Sequence, residues 1–288
     1  MIGVADPDSE KGKLLAQEHQ CRYVSDYRDF IGEIDAAVVS TPTTLHAPIG
    51  CALLESGVDV LIEKPIAPSL EEARRLNQVA EKNKRIIQVG HLERFNPAVE
   101  LLSQLKATPL FFEIHRLSLF TPRSLDVDVV LDLMIHDLDI VLSLTGMMPE
   151  EIRAAGIRIL SSKVDIANVR LQFPGGCIAN LTASRASTEQ VRKLRLFAPH
   201  QYFSLDYSRQ ELVSVKVNKD HQIGFENIPV EKDEPLKKEV SEFVDCVRSR
   251  RQPRVTGESA TRALEVALEI LVKIEQHAQV VASSLGSR

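Results

Sequence analysis

The 288-residue chain holds four cysteines, and Cys21, Cys51, Cys177 and Cys246 lie too far apart for a CxxC pair or any metal-ligand spacing. Each reads as a small buried side chain rather than a redox or ligand group. No secretory signal is seen, so the expected setting is a reducing cytoplasm. Basic residues are not in excess. Lys and Arg number 35 against 40 Asp and Glu, a formal net charge of −5, which argues against a nucleic-acid partner. No apolar run approaches the length that spans a bilayer, so no membrane partner is expected. Internal repeats and low-complexity tracts are missing too. What is left is a non-repetitive globular chain long enough for about two domains.

What is present begins abruptly, with MIGVADPDSEKG, an apolar strand running into an acidic turn. Short apolar runs at Ile2–Ala5, Ala36–Ser40, Val58–Ile62 and Arg85–Val89 alternate with helical stretches. One helix runs over Glu10–Glu18, one stops at Gly57 in a C-cap position, and one starts at Ser69 with Glu72 completing a capping box. Continuous apolar strands separated by helices predict a parallel sheet covered on both faces, a doubly wound α/β unit. After about residue 95 the pattern changes. A helix over Val127–Leu144 precedes strand-like segments at Ile152–Ile159, Ala167–Phe173, Cys177–Ser184, Lys193–Ala198, Tyr202–Tyr207 and Leu212–Val217, which suit an antiparallel meander. Helices over Lys237–Ser249 and Ser259–His277 follow, and the closing VVASSLGSR reads as a loose tail.

In an open parallel sheet, ligands sit at the carboxyl ends of the strands. Asp6, Ser40-Thr41-Pro42, Glu63-Lys64-Pro65 and Gly90-His91 stand at those ends. Asp6 suits a carboxylate accepting ribose hydroxyls, or else a turn and cap residue of DPDS. Lys64 follows VLI and precedes Pro65, so its ammonium emerges at a defined place at the sheet edge; the other reading is a solvated lysine. The helix VVLDLMIHDLDIVLSL sets Asp132 and His136 four residues apart on one face, with Asp139 a turn further on. A carboxylate one turn from an imidazole orients the ring and stabilises its protonated form, which suits a general base or acid near neutral pH. Asp126 and Asp128 instead suit the positive helix N-terminus. A metal site of Asp128, Asp132 and His136 is a further alternative. His46, His115, His200, His221 and His277 read as solvated or locally hydrogen-bonded, and His19 has no assigned role. Arg192, Lys193 and Arg195 form the densest basic group, a solvated strand face with phosphate contact as its alternative.

In order, TPTTLHAPIG, LLESGVDVLIEKPIA, VGHLERFNPAV and LDLMIHDLDI resemble the Gfo/Idh/MocA oxidoreductase family over nearly the whole chain. The resemblance implies a Rossmann doubly wound parallel sheet over residues 1–95. It implies a second, α+β domain over 96–288 with a large, open, mostly antiparallel sheet, through which dimers or tetramers form. It also implies hydride transfer between NAD or NADP and a hydroxyl or keto carbon of a sugar, cyclitol or nucleotide sugar. By position, Lys64, Asp132 and His136 match the catalytic residues. His136, oriented by Asp132, would take the hydroxyl proton while Lys64 stabilises the developing negative charge. Asp6 matches the ribose-binding acid and favours NAD; Ser40, Thr41, Pro42, His46, Glu63, Lys64 and His91 complete the cofactor set. Arg94 and Asn96, with His136, make the substrate set. No metal is implied. GHLERFNPAV and PRVTGESATRALEVALEIL most resemble the branch acting on UDP-N-acetylated amino sugars.

The chain departs from that pattern at its start. The family opens with a strand and a GxGxxG turn whose backbone N–H groups hold the pyrophosphate. Gly3, Gly12, Gly32 and Gly50 form no such pattern. The chain therefore reads as an N-terminally incomplete dehydrogenase of about 320 residues without its first strand, phosphate loop and first helix. A vacant slot is expected between the Ile2–Ala5 and Ala36–Ser40 strands. Three readings compete: a shortened chain, a degraded gene, or a catalytically inactive sugar-binding sensor or regulator of the same fold that has lost cofactor binding. The retained Lys64, Asp132 and His136 favour an enzyme, and the missing fingerprint favours the sensor.

Overall fold

A computed structural model describes residues 1–121, 127–217 and 222–286. The first ninety residues alternate as expected: β1 (Gly3–Ala5), α1 (Ser9–Glu18), β2 (Arg22–Val24), β3 (Ala36–Val39), α2 (His46–Glu55), β4 (Asp59–Glu63), α3 (Leu70–Asn83) and β5 (Ile87–Gly90). Local chemistry sets the ends. Asp8 accepts from the Glu10 and Lys11 amides to start α1, and Ser69 accepts from the Glu72 amide while donating to its carboxylate at 3.0 Å. Gly57, at φ +86°, takes the left-handed turn that ends α2.

The parallel strands form two separate pieces. β1 pairs with β2, and β3, β4 and β5 pair in that order. Among the described residues no strand bridges β1 and β3, and Val38, midway along β3, is 53% exposed. β4 is buried on both faces, the condition of a central parallel strand. Ile62 packs with Leu54, Leu76 and Val89, while Leu61 on the opposite face packs with Ile86, Phe243 and Cys246.

The second sheet has eight strands in the order β13-β12-β11-β10-β6-β9-β8-β7. They are β6 (Phe111–Leu119), β7 (Glu151–Ile157), β8 (Ile166–Gln172), β9 (Ile178–Ser187), β10 (Val191–Ala198), β11 (Gln201–Asp206), β12 (Glu211–Val217) and β13 (Ile223–Ile228). Every pairing is antiparallel except β6 with β9. One face is covered by α4 (Pro97–Gln104) and α5 (Ile135–Thr145), whose Leu102, Ile135 and Leu138 join Phe112, Ile114, Leu181 and Leu194 in the larger core.

Two closing helices tie the halves together. α6 (Pro235–Ser249) brings Phe243 and Cys246 to the parallel sheet. α7 (Gly257–Gly286) places Ala260 and Leu264 in the first core and Ala267, Ile270 and Ile274 in the second. The closing VVASSLGSR is therefore no loose tail up to Gly286: without a Pro or a strong breaker, the helix simply continues. Strands β2, β6 and β13, absent from the sequence reading, are further corrections. All four cysteines are unpaired; three are buried and Cys21 is partly exposed. No helix among the described residues is long and apolar enough to cross a membrane. Asp126 and His221 lie outside the described residues.

Candidate active site

The carboxyl ends of β4 and β5 build one wall. Their register sets Glu63 opposite Gly90, and a Cβ at Gly90 would come within 3.1 Å of Glu63 Oε2, so glycine lets that carboxylate lie across the strand. The next residue, Lys64, is joined to Pro65 by a cis peptide. Its Nζ donates to the Asp132 carbonyl at 2.7 Å and lies 3.3 Å from the Asp132 carboxylate. The lysine at the parallel-sheet edge thus reaches the helix of the second half.

That helix is not α throughout. Val130–Met134 is a π-helical turn leading into α5. A π turn bonds five residues back instead of four, which breaks the α-helical stacking of residues 132 and 136. The expected Asp132–His136 couple is accordingly absent: Asp132 engages Lys64, and His136 Nδ1 is buried without a hydrogen-bond partner. The ring beside His136 is His91, edge-on at 6.2 Å between centroids. Burial, with Lys64, Arg116, His91 and Arg192 around it, holds the His136 imidazole well below the usual histidine range and hence neutral. This corrects the expected stabilisation of its protonated form. His91 is lowered in the same way by its own burial, against the opposing pull of Asp139, and neither of its ring nitrogens has a partner.

The remaining candidates divide. Asp6 accepts from the Asp8 amide at 2.7 Å through Oδ1, the turn role, and its Oδ2 makes no hydrogen bond among the described residues. Ser40, Thr41 and Pro42 follow β3, with Thr41 Oγ1 buried and unpartnered. His46 is buried with Nδ1 2.9 Å from the Pro65 carbonyl and Nε2 2.8 Å from the Thr41 carbonyl. It staples two loops and leaves neither nitrogen for a ligand. Asn96 caps α4 through the Ala98 amide, and its amide donates to Glu93 and to the Tyr207 carbonyl. Arg94 stands 3.6 Å from the buried Asp139. The Asn96 side chain is thus engaged within the protein, while Arg94 has its ion-pair contact with Asp139. Asp128 accepts from the Val164 amide, so the alternative metal set does not assemble; among the described residues no cluster is placed to hold a metal ion.

Sequence reasoning missed a buried ionic network behind His136. Arg116 on β6 makes a two-pronged contact with Asp137, at 2.7 and 2.8 Å, and reaches Glu93 at 3.0 Å. Its guanidinium lies 4.9 Å over the Tyr207 ring. Burial opposes its charge, but Asp137 and Glu93 keep it firmly protonated. The Asp137 after His136 and the Glu93 of GHLERF were visible signals, yet their shared partner sits on the unforeseen β6.

A parallel sheet whose strand-end lysine contacts the histidine-bearing helix of a mixed-sheet domain suits a nicotinamide-dependent oxidoreductase. Comparison with known proteins agrees. Residues 1–91 match the model of an oxidoreductase family with an NAD-binding Rossmann fold, and residues 114–200 match the GFO/IDH/MocA C-terminal domain. UDP-N-acetylglucosamine 3-dehydrogenase of Acidithiobacillus ferrooxidans is 33% identical, over 97% of this chain and 91% of that protein. Its solved structure superposes with a TM-score of 0.91, covering 96% of this chain and 90% of that one. The NAD(+)-linked scyllo-inositol 2-dehydrogenase of Bacillus subtilis is 27% identical, over 93% and 84% of the two chains. The chain belongs to the Gfo/Idh/MocA oxidoreductase family and is an NAD(P)-dependent dehydrogenase acting on CH–OH groups.

Proposed function

We propose that the chain interconverts a secondary hydroxyl and a ketone on the sugar of a nucleotide sugar, with His136 as proton acceptor and Lys64 as the cation beside the reacting oxygen. The observation that carries this is the Lys64–Asp132 contact, which sets the lysine of one half against the helix bearing His136. A neutral imidazole can take the hydroxyl proton, and the ammonium stabilises the alkoxide as it forms. Asp132 positions Lys64 rather than the ring.

A nicotinamide cofactor fits this place by the chemistry of its residues. Both His91 nitrogens, His136 Nδ1 and Thr41 Oγ1 are buried without partners, as groups awaiting a polar ligand would be. Bound there, the cofactor supplies the hydride acceptor or donor. Glu63, Lys64 and His91 would line its nicotinamide half, and Ser40, Thr41 and Pro42 its middle. The free oxygen of Asp6 suits ribose hydroxyls, which favours NAD over NADP.

The nucleotide-sugar reading is supported by the extent of the likeness to the Acidithiobacillus enzyme, whose name specifies UDP-N-acetylglucosamine. Unpaired thiols suit a reducing compartment such as the cytoplasm, and the open face of the eight-stranded sheet suits a homodimer or homotetramer. The dehydrogenase relatives do not favour an inactive sensor. Incubation with NAD and UDP-N-acetylglucosamine should yield a keto sugar and NADH. Turnover that survives His136→Asn undiminished would show the acid–base assignment to be wrong.

A further inference from the structure

Four cations stand around His91 and His136, and three of them have a carboxylate. Lys64 has Asp132, Arg94 has Asp139, and Arg116 has Asp137 and Glu93. Arg192 has none among the described residues, and its Nε is buried without a hydrogen-bond partner. Its position is equally unusual. Along β10, Lys193 and Arg195 are exposed, whereas Arg192 continues the row of Leu194, Leu196 and Ala198 that faces the covering helices. The expected solvated face thus holds for Lys193 and Arg195 only; Arg195 pairs with Glu113 at 2.9 Å. Arg192 is also the cross-strand partner of Arg116, a like-charge juxtaposition that ordinarily destabilises a sheet. A partly buried guanidinium with no carboxylate among the described residues is costly unless a ligand supplies the missing charge.

We propose that Arg192 is the anion-binding residue of the substrate pocket, taking a phosphoryl or carboxylate group carried close to the carbon that reacts. This rests on the reading of His136 as the reacting centre. A guanidinium grips both kinds of oxyanion through paired N–H donors. On a nucleotide sugar the group is the phosphate on the anomeric oxygen, two carbons from C3; on a sugar acid it is the carboxylate. A neutral sugar or cyclitol has nothing to offer it, so Arg192 selects charged substrates.

Isothermal titration of the whole chain tests this, with UDP-N-acetylglucosamine, N-acetylglucosamine 1-phosphate, glucuronate and neutral N-acetylglucosamine as probes. Arg192→Gln should weaken the anion that binds wild type best by about tenfold to a hundredfold, the worth of one charge-assisted contact. Arg195→Gln, which removes the same charge from the open face, should change it less than twofold. Neutral sugar should bind both forms alike. Should the glutamine variant not fold, Arg192→Lys keeps the charge but not the fork and should lose about fivefold or more; no loss there overturns the proposal. So does an Arg192→Gln protein that binds every anion as wild type does, or a wild type that prefers the neutral sugar. UDP-sugar binding that ignores Arg192 leaves the nucleotide-sugar reading standing without this inference. Arg192-dependent binding of glucuronate alone keeps the inference and removes that reading.

Discussion

Lys64 Nζ donates to the Asp132 carbonyl at 2.7 Å and stands 3.3 Å from the Asp132 carboxylate, joining residues 68 positions apart across the two halves of the protein. The pair is partly buried, with side chains 20% and 28% exposed, so solvent reaches it. An ammonium held on one side and open on the other is suited to meeting a developing negative charge.

Removing that charge should be severe. Lys64→Met is expected to lower kcat/KM by about a hundredfold to a thousandfold, the usual cost of losing one electrostatic stabiliser. Asp132→Asn keeps the backbone contact and should cost about tenfold, chiefly in kcat. Steady-state rates of NADH formation check both values, and an Asp132→Asn loss equal to that of Lys64→Met would show that Asp132 does more than position the lysine.

The pH profile follows from the neutral state of His136. A proton acceptor must be unprotonated, and burial among Lys64, Arg116 and Arg192 keeps it so well below the usual histidine value. Oxidation should therefore stay level across neutrality, with its acid limb below about pH 6.5. Lys64→Met removes one neighbouring cation and should move that limb upward in the residual activity. His136→Asn should remove the limb and about a hundredfold to ten-thousandfold of the rate.

The same burial has a stability consequence. His91 and His136 take up protons in the unfolded chain near pH 6.5 but resist them when folded. The unfolded state then binds more protons below that pH, so stability falls as the solution is acidified. Melting temperatures should drop between pH 7 and pH 5, and His91→Asn should flatten the drop.

Glu239 gives the opposite sign. This α6 carboxyl is 1% exposed and is pushed up to about 8 by burial, with Glu63 adding to the effect. Folded, it keeps its proton between about pH 4.5 and 8 while the unfolded chain releases it, so its contribution to stability declines across that window. Glu239→Gln should remove this decline and stabilise the protein at pH 8 and above, by at most about 5 kcal/mol. Denaturation midpoints at pH 6 and pH 9 make the comparison.

Arg116 anchors the second half to the GHLERF segment. Arg116→Met strands Asp137 and Glu93 without their cation and should destabilise by about 3–5 kcal/mol, read from the denaturant midpoint.

Much of this was legible locally. Continuous apolar strands announced the parallel sheet, and Ser69 with Glu72 marked the start of α3. The candidate residues fell at strand ends because a doubly wound sheet exposes little else there. β6 was missed although Phe112, Ile114 and Arg116 alternate with exposed or half-buried neighbours, because an arginine in the inward row disguises the period. The same disguise hid Arg192 on β10.

The amino-acid sequence by itself therefore determined the two-part α/β plan, the Lys64 and His136 positions and the family, since periodicity and strand-end residues are local properties. Tertiary structure alone decided which groups are partners. It turned Asp132 from His136 to Lys64 through a π-helical turn, engaged both nitrogens of His46, and gave Arg116 two carboxylates while leaving Arg192 with none among the described residues. Those outcomes depend on helix register and on contacts between distant segments, and a hydrogen bond spanning 68 residues leaves no pattern in either neighbourhood.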